Sequence, residues 1–256
     1  FLKCHTLILT YLLYFMHMQK KLIFLDTETT GNMPGDKLIQ LCYKIEDKIV
    51  DELYKPDLPI SIESMAVHHI TEKMVAGKPA FIGSPEYKEL EELFSKEDSV
   101  MIAHNAKFDV AMIEKEGMKV GPTIDTFRVA RHLDPEGKIS SYRLQYLRYL
   151  LGIEVEATAH DAKGDVLVLE KLFERLLKKV METENLSRET AIDQMVDVSS
   201  RPVLFKYINF GKHKNKSMEE VAKSDRSYLE WLLKQKKENP EEEEDWIYTI
   251  DHYLSL

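Results

Sequence analysis

The run Lys21–Leu25 is short and apolar, and it stops at Asp26-Thr27-Glu28-Thr29-Thr30-Gly31. That pattern predicts a buried central strand delivering side chains at its carboxyl end. Strand side chains alternate between faces, so Asp26 and Glu28 project to the same side. Two like charges that close repel, and they resist desolvation unless a cation neutralises them. Such pairs are also common on solvated strand ends, so the pair alone says little about a metal.

The segments that follow narrow the fold. Leu38–Ile45 and Lys48–Tyr54 read as two more strands joined by a turn at Glu46-Asp47. Ser84–Phe94 has helical periodicity, Val100–Ala103 is another buried strand, and a helix follows it through Ile113. Thr123–Asp125 reads as a strand end, Thr126–Leu133 and Ser141–Leu151 as helices. Asp161–Val180 is the longest helix, with Leu169, Leu172, Phe173, Leu176 and Val180 on one face. Antiparallel strands followed by strand-helix alternation predict an α/β fold: a mixed sheet with helices on both faces.

Two further acids stand at helix starts. In His104-Asn105-Ala106-Lys107-Phe108-Asp109, Asn105 is a natural N-cap and Asp109 lies four positions on. In His160-Asp161-Ala162-Lys163-Gly164-Asp165 the cap is Asp161, and Asp165 again lies four positions on. A carboxylate in a first helical turn is favoured by the positive dipole end, which by itself explains either one. Asp165, however, continues the apolar stripe Leu169-Leu172-Leu176, and a carboxylate on a buried face needs a partner. His160 falls in the loop before the cap, free to reach the same place.

Taken together, Asp26-x-Glu28, Asp109, His160 and Asp165 resemble the DEDDh exonucleases, the DnaQ-like family on a ribonuclease-H-like fold. Thr29-Thr30-Gly31, the His104-Asn105 lead-in and Val67-His68-His69-Ile70-Thr71 match further habits of that family. The resemblance spans roughly residues 20–180. One departure is His69, where many relatives have Gly.

The resemblance implies a 3′→5′ exonuclease that releases nucleoside 5′-monophosphates one at a time. Four carboxylates are hard oxygen donors suited to Mg²⁺ or Mn²⁺. Two ions about 4 Å apart can activate a water and stabilise the leaving 3′ oxygen. By resemblance Asp26 bridges both ions, Glu28 and Asp165 serve the nucleophile side, and Asp109 supports the other. His160 is the expected general base. His68, with Val67 and Ile70, lines the terminal-nucleotide pocket by resemblance, or is a packed loop histidine. Thr29 belongs to the same expected substrate-binding set. Asn105 and Phe108 either border the scissile strand or serve as a cap and a core aromatic. Asp125 is read first as a buried structural acid.

Composition sharpens the partner. The 256 residues carry a net charge of −9, which argues against a chain coated in nucleic acid. Yet Arg201–Lys237 holds ten Lys/Arg against four Asp/Glu, and residues 238–256 hold seven acids and no Lys or Arg. A boundary is expected near 183–201, giving an exonuclease domain over 19–182, a linker over 183–200 and a small basic, α-rich module over 201–256. Phe210-Gly211-Lys212-His213-Lys214 and Tyr228-Leu229-Glu230-Trp231-Leu232 resemble the C-terminal modules of the exodeoxyribonuclease X-like family. Gly is usual where Asn215 stands, and Asn is the residue that next most readily takes a left-handed conformation. Tyr228, Trp231 and Leu232 form the expected core of this module. Lys212, Lys214 and Lys216 are either a solvated turn or a phosphate clamp.

The module shifts the expectation from a polymerase proofreading subunit to a stand-alone DNA-trimming enzyme of the repair type. It would act on DNA 3′ ends, single-stranded or frayed from a duplex. An RNA-trimming relative, or a polymerase or repair partner that only binds nucleic acid, are the alternatives. Residues 1–18 carry an apolar stretch, Leu7–Met16, far short of a membrane span. They are expected to be an upstream extension ahead of Met16 or Met18, with a packed element or a weak membrane anchor as rivals. Two cysteines offer no disulfide framework, so a cytoplasmic setting without a membrane fits best.

Overall fold

A computed structural model describes residues 20–33, 35–155, 162–240 and 243–256. The extension expected at 1–18 lies outside the described residues. β1 (Lys21–Thr29), β2 (Leu38–Ile45) and β3 (Lys48–Leu53) form an antiparallel meander. Helices α1 (Ile62–His68), α2 (Glu72–Val75) and α3 (Pro85–Phe94) come next. β4 (Ser99–Ala103), α4 (Lys107–Lys115), β5 (Thr123–Asp125), α5 (Thr126–His132), α6 (Leu144–Leu150) and α7 (Ala162–Glu184) follow. The sheet order is β3-β2-β1-β4-β5, with β4 and β5 parallel to β1. The expected mixed sheet is therefore present, and β1 is its central strand.

Residue parity on β1 decides what faces what. Ile23 and Leu25 pack with Leu41, Met101, Leu90 and Ile113 on one side. Phe24 points to the other side, against Val166, Leu169 and Phe173 of α7, with its ring edge-on to Phe173 at 5.4 Å. By the same alternation Asp26 and Glu28 follow Phe24 to the α7 side, and Thr27 follows Leu25 to the opposite side. β1 runs four residues further than expected, so both acids lie within the strand. The ladder to β2 shifts register between Glu28 and Thr29, an irregularity that re-aims side chains at a strand end.

The segment expected to be a linker is structured. α8 (Arg188–Ser199) is capped by Ser187, whose side chain accepts from Thr190 N, and it buries Ala191, Ile192, Met195 and Val198 in the α7-side core. Residues 188–199 thus belong to the same core as the sheet. Beyond them, a single 3₁₀ turn (Gly211–His213) and helices α9 (Met218–Ser224), α10 (Arg226–Lys236) and α11 (Glu244–Ser255) enclose a small separate core of Ile208, Met218, Val221, Leu229, Leu232 and Ile250. Trp231, expected in that core, is 55% exposed; Leu229, one turn from Leu232, fills the place instead. No helix among the described residues is long and apolar enough to cross a membrane.

Candidate active site

The carboxyl end of β1 gathers acids from both faces of the sheet. Asp26 and Glu28 are half-buried there. Asp109 comes from the first turn of α4, which packs on β1. It is 4% exposed, and one carboxylate oxygen accepts from Thr27 N at 3.1 Å and from Thr27 Oγ1 at 2.8 Å. Burial outweighs those two donors and pushes the carboxyl up to about 7. Asp165, on the buried face of α7, is 9% exposed and accepts from Gln145 Nε2 of α6. Gln145 is a neighbour that the sequence did not signal; a polar residue in a first helical turn is too ordinary to stand out. His160 lies outside the described residues.

Among the described residues, no three His, Cys, Asp or Glu side chains are drawn closely enough together to hold an ion as they stand. The donor chemistry nonetheless fits a hard divalent cation. The site offers carboxylates, and one of them is a buried acid whose ionised form lacks enough compensation.

Two residues of the expected substrate-binding set have partners within the fold. Thr29 is buried and its hydroxyl donates to Gly31 O at 2.7 Å. His68 is buried at the end of α1. Its Nδ1 accepts from Ile70 N at 3.0 Å, which leaves Nε2–H facing Thr29 O at 3.3 Å. Burial holds its imidazole below the usual range. The ring fastens α1 to the end of β1. His69 follows with φ 62 as the left-handed C-cap of α1, a conformation glycine adopts at least cost. Gly31 lies against the Asp36 carboxylate, which a Cβ there would displace.

Asn105 does not cap α4. It sits one residue earlier at φ 65, exposed, and Ala106 occupies the cap position. A left-handed residue cannot offer the extended cap geometry, so Asp109 falls at the third helical position. What fixes this turn is Asp125, which accepts from Asn105 N at 2.9 Å and from Phe127 N at 3.0 Å. Asp125 is thus the structural acid it was first read as. Phe108 is half-buried beside Asp109 and belongs to none of the buried core clusters among the described residues.

In the C-terminal module the three clamp lysines part company. Lys212 pairs with Asp225 at 2.6 Å and Lys216 with Glu220 at 3.6 Å, whereas Lys214 lines a cleft. Lys212, and then buried His213 at 2.9 Å, hold the Asp225 carboxyl well below its usual range. Asn215 adopts φ 70, so the turn survives without glycine.

The Exonuclease family pattern matches residues 23–173, and the pattern described as Exodeoxyribonuclease X-like C-terminal matches residues 208–237. Exodeoxyribonuclease 10 of Escherichia coli (strain K12) is 33% identical over 219 residues, covering 82% of this chain and 89% of that protein. The chain belongs to the exonuclease family. A solved structure of exonuclease X in complex with 5′ overhanging duplex DNA is 28% identical with a TM-score of 0.54, and covers 70% of this chain and 99% of that one. The DNA polymerase III subunit epsilon of Treponema pallidum (strain Nichols) is 32% identical over 166 residues, 59% of this chain and 74% of that protein. The exonuclease family match accounts for the sheet, α4 and the start of α7, and the second match accounts for α9 and α10.

Proposed function

We propose that this exonuclease-family chain is a 3′→5′ exodeoxyribonuclease, removing nucleoside 5′-monophosphates from DNA ends in a divalent-metal-dependent reaction. The observation that carries the reading is the pair Asp26 and Glu28 within the central strand β1, with Asp109 bonded to Thr27 of that strand and Asp165 buried on α7, which packs on it. The likeness to Exodeoxyribonuclease 10 over both the sheet and the C-terminal module supports DNA as substrate and a stand-alone enzyme.

Asp26, Glu28, Asp109 and Asp165 would hold two Mg²⁺ or Mn²⁺ ions. When bound, these supply activation of the attacking water and stabilisation of the leaving 3′ oxygen. His160, two residues before α7, accepts the proton given up by that water, a task for an imidazole neutral near pH 7. Gln145 orients Asp165 by donating to it. Thr27 fixes Asp109 through two hydrogen bonds to one oxygen. Phe108 offers a half-buried ring beside Asp109 for the terminal base.

The test uses 5′-labelled single-stranded DNA, duplex DNA and matched RNA, each with Mg²⁺ and with EDTA. A ladder shortening from the 3′ end on DNA, abolished by EDTA and slowed at least 100-fold in Asp165→Ala and His160→Ala, is expected. Near-wild-type rates in both variants would overturn the site, and a preference for RNA would overturn the substrate.

A further inference from the structure

We infer that the cleft between the 134–142 loop and the C-terminal module binds single-stranded nucleic acid on the 5′ side of the end being trimmed. The inference rests on the exonuclease reading above and deepens it. The cleft has a volume of about 470 Å³. Lys138 and Tyr142 line it on the sheet side; Lys206, Tyr207, Lys214 and Trp246 line it on the module side.

Its walls are held by direct contacts. Arg131 of α5 donates to Asp245 of α11 at 2.9 Å, and its guanidinium stacks 4.8 Å from Phe205 and 5.3 Å from Tyr142. Asp245 also accepts from Val203 N at 3.0 Å. Two acids line the cleft as well, each held by groups of its own loop. Asp134 accepts from Lys138 N, Ile139 N and Tyr142 Oη, and Glu136 pairs with Lys138.

Lys206 and Lys214 differ from their neighbours. Neither forms an ion pair among the described residues, whereas Lys212, Lys216 and Lys236 all do. Two uncompensated cations stand beside Tyr207, 39% exposed, and the indole of Trp246. Cations that follow phosphates, with rings on which bases stack, recognise a single strand without reading its sequence. The loop that walls the cleft leads in sequence to residues that contact the acid-bearing elements. Tyr142 O accepts from His104 Nε2 at 2.8 Å, and three residues later Gln145 donates to Asp165. A strand with its 3′ end at those acids continues along this loop into the cleft.

The test is fluorescence anisotropy with fluorescein-labelled dT20 and dT4 in EDTA, using the full chain. Lys206→Glu/Lys214→Glu should weaken dT20 binding about tenfold and flatten the log–log salt slope by about 1.4. The same variant should change dT4 binding less than twofold. Tyr207→Ala should weaken dT20 at least about fivefold. Lys178→Glu/Lys179→Glu, an equal charge change on exposed α7 positions, should leave dT20 binding within twofold. Equal weakening by both double variants, or by neither, overturns the cleft. If wild type degrades DNA while the cleft variants bind like wild type, only this inference falls. If wild type neither binds nor degrades DNA, the exonuclease reading falls with it.

Discussion

Glu244 accepts a hydrogen bond from Arg128, and so ties the last helix of the chain to the helix that follows β5. Arg128 is nearly buried, and its other terminal nitrogen donates to Ser199 O at 3.0 Å and Arg201 O at 2.9 Å. Glu244 also pairs with Lys107, two residues from Asp109 on α4. The acids at the chain's end are therefore joints between the module and the helices that position the site.

Removing this joint should loosen the module. Glu244→Ala leaves a buried guanidinium with Asp245 3.7 Å away and two carbonyls. Because Glu244 is itself 38% exposed, the cost is expected at about 1–3 kcal/mol, below that of a fully buried pair. A lower urea midpoint with new proteolytic cleavage between 200 and 217 is the expected outcome. An unchanged midpoint and digestion pattern would show that the apolar contacts alone hold the module.

The contact from Gln145 to Asp165 predicts a metal-affinity defect. Outer groups that orient a ligand typically change affinity or activity 10–100-fold when removed. Gln145→Leu is expected to raise the Mg²⁺ concentration for half-maximal activity about tenfold, with little change in the melting temperature. Gln145→Glu should do worse, since it sets a second carboxylate against Asp165. A loss of stability with unchanged Mg²⁺ dependence would make Gln145 a packing residue only.

How far the sequence led is clear from particular residues. Asp26 and Glu28 were legible because a five-residue apolar run ends at them, and Asp165 because it interrupts no stripe but extends one. α8 carried a usable signal, the Ser187 cap with Ala191, Ile192, Met195 and Val198 at helical spacing. Asp193, Gln194 and Asp197 between those residues diluted it into an apparent linker. Asn105 misled for a physical reason: the residue that caps helices best also tolerates φ 65, and only Asp125, twenty residues away, selects the second use. Gln145 and Glu244 act through tertiary contacts that no local pattern encodes.

His104 gives a pH dependence with a definite sign. Its Nε2 faces Tyr142 O at 2.8 Å, and its Nδ1 lies 2.9 Å from the Thr126 hydroxyl, which itself donates to Ala103 O at 3.2 Å. Burial pushes its pKa down to about 4 from 6.5. The unfolded chain therefore binds the proton first, and stability present above pH 6.5 is lost as pH falls toward 4. Against a His104→Asn variant measured at the same pH values, wild type should lose about 3 kcal/mol over that interval. Parallel stability curves for the two proteins would remove His104 from the account.

Asp109 should report the cation without any turnover. Its folded pKa of about 7 lies above the ordinary 3.8, so between those values the folded chain holds a proton the unfolded chain has released. In EDTA its contribution therefore falls as pH rises through that window, and at pH 8 the bare carboxylate is a net cost. Asp109→Asn is accordingly expected to be more stable than wild type in EDTA at pH 8, by about 2–4 kcal/mol, and to lose that advantage toward pH 4. Protons and Mg²⁺ compete for the same oxygens, so Mg²⁺ should raise the wild-type melting temperature more at pH 8 than at pH 5.5. In Asp109→Asn that pH-dependent increment should shrink, and exonuclease activity should fall with it. Equal Mg²⁺ shifts at both pH values would mean that the cation does not reach Asp109. An asparagine variant less stable than wild type in EDTA at pH 8 would mean that the two Thr27 hydrogen bonds outweigh the burial of the charge.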